Sequence, residues 1–365
     1  MFPYWILFGC FSFATLIGSG GERDRRNAIF LTVASVFVVI FMGLRFQVGG
    51  DWINYRIIYN DILYRGMQWS LESGRADPAY ILLNWISQQL KTDIWLVNIV
   101  CAASLMWGIV EIAKRQPNPF LIVLIAIPYL IIVVGMGYTR QASAIGLSMV
   151  ALVAFLDKRW AKCVAAMILA ALFHKSAVIL VPIVGLSYSR SRIVTISMFA
   201  LLSVILFELV VSSRLETMSE NYMTAQLQSQ GANIRVAMNT LAAVLFLIAQ
   251  RRFGFEPQER VLWRNISFAS LLAVPAILLT SSSTVVDRLS LYFIMLQLVV
   301  LGRLPWAYTR NRSVAALLIG IVMAYSATIQ FVWLNYANNA YWWLPYRSIL
   351  SDVPERKVGR PGQDE

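Results

Sequence analysis

Single arginines at the mouths of apolar segments, one histidine and a few neighbouring carboxylates are the residues of this chain best suited to chemistry on a phosphorylated group. The cations are Arg45, Arg140, His174, Arg214, Arg235, Arg288 and Arg347, and the pattern of apolar runs puts them all on one side. A charge in such a place costs free energy, so a role is the default expectation. A guanidinium grips phosphate oxygens through two parallel hydrogen bonds. The natural partner of the group is therefore a polyanion at a membrane surface, such as a lipid pyrophosphate.

The surrounding residues sharpen that reading. In Gly43-Leu44-Arg45, followed by Gly49-Gly50-Asp51 and Tyr55, an arginine leaves a helix and two glycines let the backbone approach a ligand or take positive φ. The plain alternative is a helix-end arginine reaching to head groups. Arg140, with Gln141 after it, opens an apolar helix, where the dipole disfavours a cation. An anion is expected there, held by Arg140 together with free backbone N–H groups. His174, in Phe173-His174-Lys175-Ser176, is the sole histidine and interrupts an apolar stretch. It could hydrogen-bond a pyrophosphate oxygen or exchange protons near neutral pH, where a structural histidine would only pack. Arg288 and Tyr292 stand at i and i+4, on one helical face, with Asp287 beside them. Arg235 opens another span, and Tyr346 precedes Arg347 near the end. Arg56, Arg65, Arg75 and Arg214 are expected to face solvent. Asp77-Pro78 reads as an N-cap followed by proline at the first helical position.

The elements that must hold these groups are membrane helices. The 365 residues are 58% hydrophobic and 14% charged, against about 25% charged in soluble domains. Apolar runs predict about twelve crossing helices near 3–18, 28–44, 94–113, 119–135, 141–156, a hairpin over 160–188 broken at His174, 193–212, 235–250, 265–280, 289–302 and 313–334. More than half of the 31 lysines and arginines fall in the alternate short loops, which assigns those loops to the cytoplasm. Residues 1–353 then form a single integral membrane domain with outer loops 45–93, 213–234, 281–288 and 335–353. Residues 354–365 form a polar tail expected to be disordered. Within the first outer loop, Ala79, Leu82, Leu83, Ile86 and Leu90 make the apolar stripe of a helix lying at the interface.

The net charge of +12 is not read as nucleic-acid binding, because the cations are scattered over short loops rather than gathered on a soluble face. They suit anionic membrane lipid instead. Cys10, Cys101 and Cys163 all sit in apolar runs, which argues against disulfides and zinc. There is no Asp-x-Asp box, Walker A, GxGxxG, HExxH or serine elbow. A metal-independent mechanism without a cofactor is expected.

In their order, Gly43-Leu44-Arg45, Gly49-x-Asp51, Tyr55, Asp77-Pro78-x-Tyr80, Arg140-Gln141-x-x-Ala144, Phe173-His174-Lys175-Ser176-Ala177 and Asp287-Arg288 with Tyr292 resemble the EpsG-like branch of the Wzy-type polysaccharide polymerases. Asp77 departs from the glutamate expected there, shortening the side chain but keeping the charge. The resemblance implies an all-α polytopic bundle, GT-C-like, with a periplasmic amphipathic helix. It also implies a glycosyltransferase of the bacterial inner membrane with its site on the periplasmic face. The reaction implied moves a growing glycan from undecaprenyl pyrophosphate to a hydroxyl of the next lipid-linked unit, for O-antigen or exopolysaccharide, and admits a chain-length regulator as partner. Asp51 is the first choice of base, with Asp77 and Asp287 behind it, and Arg140 and His174 complete the catalytic set. Arg45, Gln141, Arg235 and Arg288 would bind the diphosphate end, and Tyr55, Tyr292 and Tyr346 the glycan. A lipid-linked-glycan flippase and an O-antigen-ligase-like transferase are the alternatives. A flippase needs a cation-lined path through the membrane, whereas these cations favour one face.

Overall fold

The computed structural model describes residues 1–18, 25–188, 231–279 and 283–350, with isolated positions between 191 and 204. Most of the expected span at 193–212, most of the loop 213–234, Arg214 and the tail 354–365 lie outside the described residues. Among the described residues the chain is helical, and its only β-type pairing is one antiparallel bridge between Arg45 and Ser348.

The helices run in order as α1 (Phe2–Ile17), α2 (Arg25–Gly43), α3 (Trp52–Arg65), α4 (Met67–Glu72), α5 (Pro78–Gln89), α6 (Asp93–Ala113) and α7 (Pro119–Ala126). The last continues as a π-helix over Ile127–Gly135. There follow α8 (Thr139–Leu156), α9 (Trp160–Phe173), α10 (Leu180–Tyr188), α11 (Ala232–Ala249), α12 (Pro257–Leu279), α13 (Ser283–Ser290), α14 (Met295–Tyr308) and α15 (Arg312–Tyr336). At the centre stands α8, with every residue from Gln141 to Phe155 buried. Helix α6 crosses it backbone to backbone at Gly108 and Gly146, where an added Cβ would lie 2.2 Å from a carbonyl oxygen of the facing helix. Small residues permit such close crossings, and dispersion over the contact holds them.

Five helices, α6, α8, α11, α12 and α15, are long and apolar enough to cross a membrane. The segment from Ser283 to Tyr308, bent by 43°, makes a sixth if taken as one span. The expected twelve spans are therefore not reached among the described residues. Phe2–Ile17, Ala28–Gly43, Pro119–Gly135, Trp160–Phe173 and Lys175–Tyr188 are apolar but shorter. A helix of 14 residues such as α9 rises about 21 Å, short of a hydrocarbon core of roughly 30 Å. The expected runs at these places are themselves this short, so counting apolar runs overstates the number of crossings.

The break at His174 is present: α9 ends at Phe173, His174 is extended, and a 3₁₀ turn over Lys175–Ile179 leads into α10. Helix α5 forms where expected, with the polarity turned outward. Tyr80, Ile81, Asn84 and Ser87 face inward, while Leu82, Ile86 and Leu90 are exposed. Its polar row is tied down, Gln88 donating to the Tyr59 carbonyl and Ser87 to that of Asp93. An exposed apolar row over a bonded polar row is what a helix at a membrane interface requires.

The loops gather at two ends. At one, Arg115 pairs with Asp157 at 2.6 Å, and Arg303 donates to Gln116 and to the carbonyls of Phe253 and Arg115. At the other, the segment after α15 folds back onto residues 44–49. Phe46 N donates to the Arg347 carbonyl, Ile349 N to that of Leu44 and Gly49 N to that of Trp342. Gly49 is at φ 106°, and a Cβ there would lie 2.2 Å from the Met136 oxygen. Only glycine fits that turn without strain.

Candidate functional site

The second end carries the charged cluster. Arg140, in the first turn of α8, reaches across to Asp77 at the start of α5, with its Nη1 3.0 Å from the Oδ2. The other Asp77 oxygen accepts the backbone N–H of Lys175 at 3.3 Å. The N-cap position of Asp77 is thus real, but its side chain caps nothing in α5 and ties α5 to α8 and to the break after α9. The anion expected at the start of α8 is, in this structure, a carboxylate of the chain itself. The Arg140 guanidinium lies over the Tyr80 ring at 5.9 Å, and its buried Nε has no hydrogen-bond partner.

Asp51 and Tyr55 come from the loop before α3 and its first turn. Tyr55 is buried, packs against Tyr80 with ring centres 5.5 Å apart, and accepts the backbone N–H of Arg140. Burial pushes the Asp51 carboxyl above the usual carboxylate range, while Arg140, Arg288 and the Tyr55 hydroxyl pull it back. Burial also raises Asp77, with Arg140 and then Lys175 opposing it. The Tyr55 phenol is raised by burial, and Asp51 adds to the effect.

His174 is half-buried. Its Nδ1 accepts the backbone N–H of Ser176 at 3.4 Å and sits 3.5 Å from the Tyr292 hydroxyl. With Nδ1 as acceptor, the ring hydrogen belongs on Nε2. Arg140, Arg288 and Lys175 all lie within electrostatic reach of this ring. Lys175 and Arg288 are exposed, and the Arg288 side chain has no hydrogen bond or ion pair among the described residues. Gln141 donates to the Arg288 carbonyl, which fixes α13 against α8.

Four expected site residues stand apart. Arg45 is 1% exposed, and its guanidinium is held by the Met42 carbonyl, Asn98 and Thr139 at 2.7–3.1 Å. It lies beneath the cluster and braces the first residue of α8, out of a ligand's reach. Arg235 and Asp287 form a bidentate pair inside the bundle, each side chain 8% exposed, and Arg235 also donates to Tyr129 at 2.7 Å. The stretch 281–288 was expected as an outer loop, but from Ser283 it is the helix α13, with Asp287 turned inward. Tyr346 stacks on Phe41 at 4.3 Å and donates to its carbonyl, which makes it a packing residue. Arg347 is buried and donates to Gln47.

Tyr80, Lys175 and Tyr138 also stand at or beside the cluster without having been expected as site residues, and Gln297 donates to Asn239 and Asn239 to the Ser290 carbonyl in a further polar chain. Asn98, Asn239 and Gln297 each sit in an apolar helix, and a polar side chain there was the available signal. Beside this chain opens a cleft of about 580 Å³ between the π-helix, the first turns of α11 and the last turns of α15.

Apolar helices packed around a charged site at one end fit a membrane protein. The chain belongs to the EpsG family, whose model matches residues 28–348 and so takes in every residue of the cluster. This is a family of Wzy-like polymerases, and the role that comes with it is polysaccharide polymerisation. No curated protein and no solved structure matches the chain.

Proposed function

We propose that this protein extends a polysaccharide by transferring the growing glycan from undecaprenyl pyrophosphate to a hydroxyl of the next lipid-linked unit. The reaction runs at the periplasmic face of the bacterial inner membrane, on a GT-C-like bundle and without a metal. One observation carries this reading: Arg140, Lys175 and Arg288, from three separate segments, converge with Asp51 and Asp77 around His174.

The scissile bond joins the sugar to a diphosphate. As it breaks, negative charge grows on the leaving oxygens. Fixed cations at that place lower the barrier because they need no reorganisation. Arg288 and Lys175 are open to such a group, and the partly exposed Arg140 side chain stands beside them. His174 adds the Nε2 hydrogen. The attacking hydroxyl must lose its proton to a carboxylate. Asp287 is locked to Arg235, and Asp77 is held by Arg140 and Lys175. Asp51, raised toward neutrality and touching only Tyr55 by hydrogen bond, suits the task best. Arg45 then acts by holding Thr139, hence the neighbouring Arg140, in place.

Arg140→Ala and His174→Ala test the assignment. Each protein should insert normally and stop polymer formation, with single lipid-linked units accumulating. Loss of one such electrostatic group costs about 10²–10³ in rate. Normal polymer lengths from both variants would refute the assignment.

A further inference from the structure

We infer that the cleft between α11 and α15 holds the isoprenoid chain of the lipid-linked substrate, entering sideways between the two helices. The inference rests on the proposed function for the identity of the lipid, but its first test does not need activity.

Position argues for a lipid chain. Both bounding helices are among those long and apolar enough to cross a membrane. The cleft runs along their ends nearest the charged cluster, over the first turns of α11 and the last turns of α15. Its rim includes Ile234 and Val332, both exposed to the outside of the bundle. A water-soluble ligand has no reason to enter there, whereas a chain already in the membrane reaches it by lateral diffusion.

The lining argues the same way. Most of the wall surface is apolar, made by side chains such as Val133, Ile234, Met238, Ile329 and Val332 and by the faces of aromatic rings, while Asn338 and Asn339 stand after the end of α15 and Arg235 is tied to Asp287 and Tyr129. Apolar chain leaving water or a looser apolar phase gains from such contact. A glycan of similar size would lay hydroxyls against the apolar stretch of Val133, Ile234, Met238, Ile329 and Val332, at a cost for each left without a partner.

The cleft also lies near the charged cluster. Tyr138 lines it, and the same residue lies within electrostatic reach of Asp51 and Arg288. An amphipathic molecule could rest its anionic head among Arg140, Lys175 and Arg288 and run its tail past Tyr138 into the cleft. The nine-residue π-helix that supplies Val133 and Tyr129 widens the wall here, and such distortions are often retained where a site needs them. Its Ile132 carbonyl accepts the Trp343 indole N–H at 2.8 Å, which holds the end of the cleft.

The direct test is photolabelling of the purified full chain with a photoreactive farnesyl diphosphate, followed by peptide mapping. Label should fall on peptides from 232–249 and 312–336, and full-length polyprenyl phosphate should displace it. Thr328→Trp and Val332→Trp, at exposed positions that tolerate bulk, should each cut labelling at least about tenfold by removing room for buried methylenes. Label spread evenly over all helices would overturn the inference. So would displacement by lipid-free oligosaccharide but not by polyprenyl phosphate, which would assign the cleft to glycan. A second arm compares polymerisation from long-tail and short-tail donors. The tryptophan variants should lose the long-tail preference while short-tail turnover stays, and equal loss on both would count against the cleft. Labelling at the cleft in a protein that forms no polymer would sink the polymerase reading alone.

Discussion

The buried pair of Arg235 and Asp287 gives the sharpest test of how the structure divides lock from machinery. Each side chain is 8% exposed, the contact is bidentate, and the remaining guanidinium nitrogen is held by Tyr129. Removing one partner from such a pair strands a charge away from water, at a cost of about 3–5 kcal/mol. Asp287→Ala and Arg235→Ala should therefore each lower the melting midpoint of the detergent-purified protein sharply and reduce its folded yield. Replacing both by apolar residues of similar size, Arg235→Met with Asp287→Leu, removes the stranded charge along with the attraction. Such exchanges are often neutral or stabilising, so the double variant should recover most of the lost stability. If the pair is a lock between α11 and α13, the double variant should also form polymer. The assays are a melting curve followed by fluorescence-detected size exclusion and a polymer-length gel from the same preparations. Single variants that melt like the parent would refute the energetic argument. A stable double variant that makes no polymer would refute the placement of the pair outside the chemistry.

Two further outcomes follow from the cluster. Asp51 must be ionised to accept a proton, so the rate should fall as pH drops through its raised pKa. That acid limb should lie above the ordinary aspartate value of about 3.9. Because folding raises this pKa, the stability linked to Asp51 is present below the unfolded value and lost as pH rises through the folded one. Asp51→Asn should thus melt higher than the parent at neutral pH while making no polymer, and a lower melting midpoint would contradict the burial argument. Arg45→Met leaves the Met42 carbonyl, Asn98 and Thr139 without a donor, each such bond to a charged group contributing about 1.5–3 kcal/mol. It should lower kcat far more than it raises KM. Arg45→Lys should not restore the rate, since one ammonium cannot reach all three acceptors. A pure KM effect would return Arg45 to the ligand.

Much of the charged cluster could be read from residue order because its members announce themselves against an apolar background. Arg140, His174, Asp51, Asp77 and Arg288 stand out through charge where charge is costly, and they do meet. The structure sets Arg45 and Arg235 apart from that cluster, although in the chain they look like its members. A buried cation held by carbonyls or a carboxylate and a cation facing a ligand have the same sequence signature. The twelve spans are not reached among the described residues because the expectation counts runs of 14 to 17 residues as spans, and the helices formed there are as short as the runs themselves.

By itself, the amino-acid order determined a helical bundle of apolar segments, a break at His174, an amphipathic helix at α5 and a set of charged residues sharing one end. These depend on local periodicity and on the cost of charge in apolar surroundings, both of which are properties of short stretches. Only the tertiary structure decided which cations are open and which are locked, that Asp77 supplies the anion to Arg140, and that a cleft opens between α11 and α15. Partnership across a hundred residues of chain is set by packing. The same packing, through the glycines where α6 meets α8 and the terminal segment folded over residues 44–49, brings those distant groups within reach of one another.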